Sequence, residues 1–285
     1  MDLQNMTQNT INLPSYTALM SVYKNDRAEW VKDAVNSILG QSFRPSAYVI
    51  VEDGPVSEDI ENILNDFHTS FPDIIKIIRL EQNSGLGNAL NKGLAECTTE
   101  WVARQDADDI SEPSRIEKEL KIALAQNADI VSSSFNEFMG TPDNVVSVKT
   151  YPTTHDEIFK YAKRRNPFAH PSVVYRKSKV LDAGGYDPDA YLHEDYDLFT
   201  RMLMKGSIGA NSDEVLLNMR VNEDFYKRRG GRKYLKALLK FNKKLYKSGF
   251  TKFSDYFIRS CANIVSCLMP SALRKSFYKK ALRNK

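Results

Sequence analysis

Short apolar runs alternate with longer periodic ones through the first half of the chain. "TALMSVY" (17–23) has the length and β-branched content of a buried strand. "RAEWVKDAVNSILGQ" (27–41) then places Trp30, Val31, Ala34, Val35 and Ile38 on one helical stripe. The rhythm repeats: "AYVIVEDG" is a strand ending in acids, "EDIENILNDF" a helix, "IIKIIRL" a strand and "GNALNKGLAEC" a helix. "EWVARQDADD" is a strand, "SRIEKELKIALAQN" a helix with Ser114 and Glu117 at capping-box spacing, and "DIVSSSFNEF" another strand. Such alternation predicts a parallel sheet covered on both faces. Ligands of these sheets bind beyond the carboxyl ends of the strands. Asp53 and the Asp106/Asp108 pair both fall there, so two strands deliver acids to one edge.

The second half is less regular. "NPFAHPSVVYRKS" reads as a loop entering a strand, "AGGYDP" as a turn, and "EDYDLFTRMLMKG" as a helix with Leu198, Phe199, Met202 and Leu203 at its buried spacing. After "RRGG" (228–231) come two basic helical stretches, about 232–248 and 252–284, the second interrupted by Pro270.

Charge sharpens this division. Residues 226–285 hold 18 Lys and Arg against the single acid Asp255, a balance of +17. Residues 1–225 hold 22 basic against 35 acidic residues, or −13. The pattern predicts an acidic catalytic body (1–225) and a basic helical C-terminal region (226–285) facing an anionic surface. That region also carries Phe250, Phe253, Phe257, Ile264, Val265 and Leu268, more apolar bulk than a solubilising tail needs. Packing of these helices on the body, with a basic outer face, is the competing expectation. With 285 residues, 42% of them hydrophobic, the chain has ample material for a core. It shows no run of eighteen apolar residues and no signal-peptide plan at its start. Cys97, Cys261 and Cys267 are odd in number and lack metal-ligand spacing, which fits a reduced, cytoplasmic compartment.

The acids raise the chemical question. "ARQDADDIS" supplies hard oxygen ligands from one turn, suited to Mg²⁺ or Mn²⁺ with phosphate completing the shell. Turn capping by Asp108 and Asp109 explains the same letters. Asp53 in "VEDG" can accept an imide N–H such as uracil's, or simply close a strand-to-turn step. "QNSGLGNALNKG" (82–93), with Gly85, suits a phosphate approach or a plain turn. In "HEDYDLFTRM" (193–202), His193, Glu194, Asp195 and Asp197 crowd a helix start, either to complement the helix dipole or to supply a general base. Trp30 and Trp101 read as core.

In this order, these pieces resemble the family 2 glycosyltransferases of bacterial polysaccharide synthesis, over about residues 17–231. "LMSVYKNDRAEWVKDAVNSILGQSF" looks like that family's opening strand and helix, with Ser21 where proline is more usual. "VIVEDGPVSE" is similar to its acidic strand end, Glu52 replacing a common Asp. "NSGLGNALNKGL" looks like its third element, with Asn88 or Ala89 where many members carry arginine. "ARQDADDIS" resembles its metal-binding Asp-x-Asp and "HEDYDLFTRM" its base motif; "NPFAHPSVVYRKS" and "RRGG" resemble flanking signatures.

The resemblance implies an α/β GT-A fold, a Rossmann-like and mostly parallel sheet flanked by helices. It implies that Asp53 holds uracil with Tyr23, that Val22 and Gly85 line the nucleotide side, and that Arg104 and Asp106 lie near the ribose. Asp108, with Asp106, would ligate Mn²⁺ or Mg²⁺ bridging the diphosphate. Asp195 would be the base with Glu194 beside it, and Arg228 or Arg229 would meet phosphate on a closing loop. His193 and His170 would stand near the acceptor. The implied reaction is inverting transfer of a hexose from a UDP-sugar to a lipid-linked saccharide, forming a β-linkage, by a peripheral protein on the inner face of the cell membrane. A sugar-nucleotide nucleotidyltransferase is the alternative enzyme, but "VYKNDRAEW" lacks the glycines of its loop. A nucleic-acid-binding module using the +17 tail is the third reading, and the acidic first half offers it no basic groove, so no nucleic-acid partner is expected.

Overall fold

A computed structural model describes residues 12–190, 192–222 and 231–269. Nine strands form one sheet among the described residues, in the order 75–79, 47–52, 16–22, 101–106, 174–176, 130–138, 209–220 and 110–111, with 145–149 paired to 130–138. The strands β1 (Tyr16–Val22), β2 (Ala47–Glu52), β3 (Ile75–Arg79) and β4 (Trp101–Asp106) pair in parallel. They alternate with α1 (Ala28–Leu39), α2 (Glu58–Ser70) and α3 (Leu86–Glu96), as the periodicity predicts. The two-residue β5 (Ile110–Ser111) leads to α4 (Arg115–Ala125) and β6 (Ile130–Phe138). Beyond β7 (Val145–Lys149) and α5 (His155–Ala162), the short β8 (Val174–Arg176) slots antiparallel between β4 and β6. Helices α6 (Lys177–Asp182) and α7 (Glu194–Met204) precede β9 (Gly209–Arg220), which pairs in parallel with β6.

Both faces of the sheet are covered, and the strand period of two explains how. In β1, Ala18 and Met20 pack with Val31, Val35, Ile60 and Ile116 on the α1/α2/α4 face. Leu19 points the other way, into a cluster with Leu90, Leu94, Leu198, Phe199 and Met202 from α3 and α7. Gly93 lets α3 lie close on that face, because a Cβ there would stand 2.4 Å from Leu19 Cδ1 and 2.8 Å from Val51 Cγ2.

The C-terminal helices α8 (Gly231–Lys247) and α9 (Phe253–Leu268) stay on the body. Phe241, Leu245 and Phe250 join the α3/α7 core cluster. Arg259 of α9 donates to Tyr196 Oη at 2.8 Å and to Lys163 O at 3.0 Å. The packing expectation for the tail therefore holds for these helices. No helix among the described residues is long and apolar enough to cross a membrane.

Two local expectations fail. Ser114 makes no side-chain cap at α4; Glu117 instead accepts from Ser42 Oγ (2.5 Å) and Lys121 Nζ (2.6 Å). Gln41 does the capping from outside the helix, its Oε1 accepting from Ile116 N at 3.1 Å. Trp101 is buried, but Trp30 is only half-buried, with the guanidinium groups of Arg27 and Arg220 over its ring at 4.5 and 4.8 Å.

Candidate active site

Parallel pairing sets the strand ends side by side. The register aligns Ser21 with Asp106 and Val22 with Glu52, so Tyr23, Asp53 and the 106–109 turn share one edge. The two sets of acids are held in opposite ways.

Asp53 is buried and saturated. Its Oδ1 accepts from Ser84 N (2.7 Å) and Ser84 Oγ (3.0 Å), and its Oδ2 from Asn83 Nδ2 (2.9 Å) and Gly85 N (3.0 Å). A carboxylate offers about four lone-pair sites, so this one is spent on clamping the glycine loop to the strand end. Gly54 makes the approach possible: it has φ +82°, and a Cβ would come within 2.5 Å of Asn83 N. Gly85 itself spends its N–H on Asp53. Val22 is core, and its carbonyl accepts from Asp53 N at 2.8 Å. Tyr23 is exposed at the edge. The neighbouring Glu52 is buried, ion-paired with Arg79 at 3.4 Å, and burial raises its carboxyl above the usual range.

The β4 turn is the reverse. Carboxylate oxygens of Asp106, Asp108 and Asp109 lie within 4.8 Å of one another. Asp109 accepts from Arg220 N at 2.9 Å through Oδ1, while its buried Oδ2 has no hydrogen-bond partner. Burial, then repulsion from Asp106, pushes Asp108 up to about 6. Asp26, from the β1–α1 loop, is pushed to about 7, by burial first and then by Asp108 and Asp106. Gln105 stitches the turn from beneath, donating to Asp109 O (2.7 Å) and accepting from Ser111 Oγ (2.7 Å). Arg220 closes it from β9, its Nε donating to Asp108 O at 3.1 Å. This crowd of hard oxygens, with one buried acceptor unfilled, fits a divalent cation.

Behind the turn, Arg104 is 1% exposed and ion-pairs with Asp106, while its Nε and one Nη lack partners. The Arg115 guanidinium fixes its backbone by donating to Arg104 O at 3.2 Å. Asp195, at the start of α7, lies within reach of the Arg104 charge. Asn166 Nδ2 donates to its Oδ2 (2.6 Å) and Tyr196 N to its Oδ1 (2.7 Å). Burial raises its pKa, and the positive field of Arg104 opposes that rise. Burial likewise raises Glu194, which packs near Gly87 at the start of α3.

The two histidines are held by aromatic packing. His170 is buried, its Nε2 bonded to Tyr186 Oη at 3.0 Å and its ring edge-on to Phe199, and burial holds it neutral. Its ring is held in place by packing and by that one hydrogen bond. His193 turns toward α8 and stacks on Phe241 at 5.1 Å. Arg228 and Arg229 lie outside the described residues. The residues that sequence reading missed are Asp26, Asn166, Arg115 and Arg220. Asp26 had a usable signal, since it follows a strand's carboxyl end on the same edge. Arg220 had none: it reaches the turn from 112 positions away.

Residues 17–185 match the family model described as glycosyl transferase family 2. The chain belongs to that family. It is 34% identical over 272 residues, 95% of its own length and 97% of the relative's, to the UDP-Gal:alpha-D-GlcNAc-diphosphoundecaprenol beta-1,3-galactosyltransferase of Escherichia coli. It is 32% identical over 268 residues, 93% of its length and 98% of the relative's, to the amylovoran biosynthesis glycosyltransferase AmsE of Erwinia amylovora. This glycosyltransferase shares its fold with the mannosyltransferase PcManGT of Pyrobaculum calidifontis, solved with GDP-Man and Mn²⁺: TM-score 0.65 at 16% identity, over 95% of this chain and 76% of that one. It likewise matches S. aureus TarS 1–349 in complex with UDP-GlcNAc, with TM-score 0.61 at 13% identity over 91% and 69% of the two chains. The GT-A architecture expected from the motifs is therefore the one observed.

Proposed function

We propose that this family 2 glycosyltransferase moves a hexose, glucose or galactose, from a UDP-sugar to a saccharide carried on a polyprenyl diphosphate. The transfer inverts the anomeric centre, forms a β-linkage, and builds a surface polysaccharide such as O-antigen or capsule. The activity of the Escherichia coli relative, similar over nearly the full length of both chains, supports the donor and acceptor classes. The observation that carries the reading is the Asp106–Asp108–Asp109 group, with the buried Arg104 ion-paired to Asp106 and its charge also felt by Asp195.

Asp195 is the base in this account. Its two oxygens are each anchored by one hydrogen bond, which leaves lone pairs for an acceptor hydroxyl. As that hydroxyl attacks the anomeric carbon, Asp195 takes its proton and the bond from that carbon to the UDP oxygen breaks. One base opposite the leaving group gives inversion. Its raised pKa strengthens it as a proton acceptor. Asp108 and Asp106 would hold Mn²⁺ or Mg²⁺, which when bound supplies Lewis-acid neutralisation of charge growing on the diphosphate. Arg228 or Arg229 would approach the diphosphate. The C-terminal region holds the protein on the inner face of the membrane, where its acceptor resides. Membership of the glycosyltransferase family displaces the nucleotidyltransferase alternative.

The test is transfer from a panel of UDP-sugars with Mn²⁺ to a GlcNAc-diphosphate-lipid mimic, read by mass. The reading expects a one-hexose mass gain with the wild type and a loss of about 10²- to 10⁴-fold with Asp195→Asn. Near-wild-type turnover by a folded Asp195→Asn protein would remove Asp195 from the role of base.

A further inference from the structure

Helices α8 and α9 lie side by side on the body, and their outward faces have unlike chemistry. At 3.6 residues per turn, Arg232, Lys236, Lys240, Lys243 and Lys247 of α8 share an arc of about 80°. All five are exposed, and the buried Phe241 and Leu245 lie roughly opposite them, against the body.

On α9, Phe253, Phe257, Ile258, Val265 and Leu268 are between 58% and 62% exposed, and Ile264 is 39% exposed. They share an arc of about 140°, in which the other residues, Ser254 and Cys261, carry no charge. Arg259, roughly opposite, is the α9 residue tied to Tyr196 and Lys163. Both faces thus point away from the body, a cationic plate beside an apolar ridge. An apolar arc this wide, left uncovered among the described residues, marks an interaction surface.

We propose that these two faces form one membrane-docking surface. The α8 cations lie on anionic phospholipid headgroups, and the α9 ridge inserts among the acyl chains just beneath them. The pairing of charge with adjoining bulk argues for a bilayer: an apolar partner protein would leave the plate without counter-charge, and a nucleic acid would leave the ridge in water. The sequence after α9 continues the same mixture, with Arg274, Lys275, Lys279 and Lys280 around Phe277 and Tyr278. The docking layer backs directly onto α7, since Tyr196 packs against Phe241 at 4.9 Å beside Asp195. This inference rests on the lipid-linked acceptor of the proposed function and specifies the surface that meets the lipid.

The experiment is flotation of the full-length protein with vesicles of phosphatidylcholine alone, or with about one-third phosphatidylglycerol. Two variants accompany it, Lys236→Glu/Lys240→Glu/Lys243→Glu and Phe257→Ser/Val265→Ser/Leu268→Ser. All are assayed in parallel with a water-soluble short-chain acceptor diphosphate. The proposal expects the wild type to partition onto anionic vesicles. The charge-reversed protein should bind at least about 100-fold more weakly, at roughly fivefold per cation removed. The serine variant should lose about tenfold or more. Both should keep wild-type transfer to the soluble acceptor. Equal partitioning of all three proteins overturns the proposal, as does a wild-type dimer that the serine variant converts to monomer, because a second copy would then own the ridge. Vesicle binding with no transfer to any soluble acceptor would instead sink the catalytic reading and uphold the surface.

Discussion

The ends of β2 and β4 carry the same residue type at the same edge of the sheet, yet their electrostatics are opposite. Asp53 is surrounded by donors: Asn83, Ser84 and Gly85 fill its acceptor positions and hold it as scaffold. Asp108 and Asp109 are surrounded by acceptors, so burial and mutual repulsion raise both. A saturated carboxylate is a structural anchor. A carboxylate whose neighbours are other carboxylates is a site waiting for positive charge.

That contrast can be broken in stages. The largest effect is expected from Asp108→Ala, which should cut turnover by about 10³-fold or more, because the charge growing on the diphosphate loses its neutralisation. Its metal-free melting temperature should hold or rise at pH 8, since a like charge leaves a crowded buried turn. A marked fall would mean that Asp108 is an anchor after all. Asp53→Ala should do the converse. Loss of a buried carboxylate that accepts four hydrogen bonds costs about 2–4 kcal/mol, a drop of roughly 5–10 °C by thermal melt. An unchanged melt would show that the 83–85 loop does not depend on it.

The smallest effect concerns Asp195, whose oxygens are anchored once each. A base must be ionised to act, so kcat/KM should rise with pH through a limb above the usual carboxylate range. Asn166 donates to the ionised form and so lowers this pKa. Asn166→Ala should therefore move the limb upward, by about 0.5–1 pH unit. A limb that stays put would separate Asn166 from the base.

Much of this was legible before any coordinates. The 2- and 3.6-residue periods located β1 to β4, α1 to α4 and β6, because each element buries a face against the sheet. The acid turn and Asp195 were legible because they end a strand and start a helix. What escaped depends on which partner arrives. Asp53 and Asp108 look alike as strand-end acids, and only the donors of the 83–85 loop tell them apart. His193 sits in an acidic motif, but Phe241, from a helix far along the chain, claims its ring. The three-residue β8 has no period to read, so its antiparallel insertion between β4 and β6 is a tertiary fact. Trp30 lies on a hydrophobic stripe, but at its margin, where Arg220 reaches it from β9.

The most direct measurement is the thermal midpoint of the metal-free protein as Mn²⁺ is added with and without UDP, in wild type and Asp108→Ala. Ligand at about 100 times its Kd stabilises the folded state by about 2.7 kcal/mol, so the wild type should rise by several degrees, further with both ligands than with either alone. The Asp108→Ala protein should not respond to Mn²⁺. A wild type indifferent to Mn²⁺ in the presence of UDP, or a variant that responds equally, would contradict the claim that the acids of β4 are held together for a cation shared with a nucleoside diphosphate.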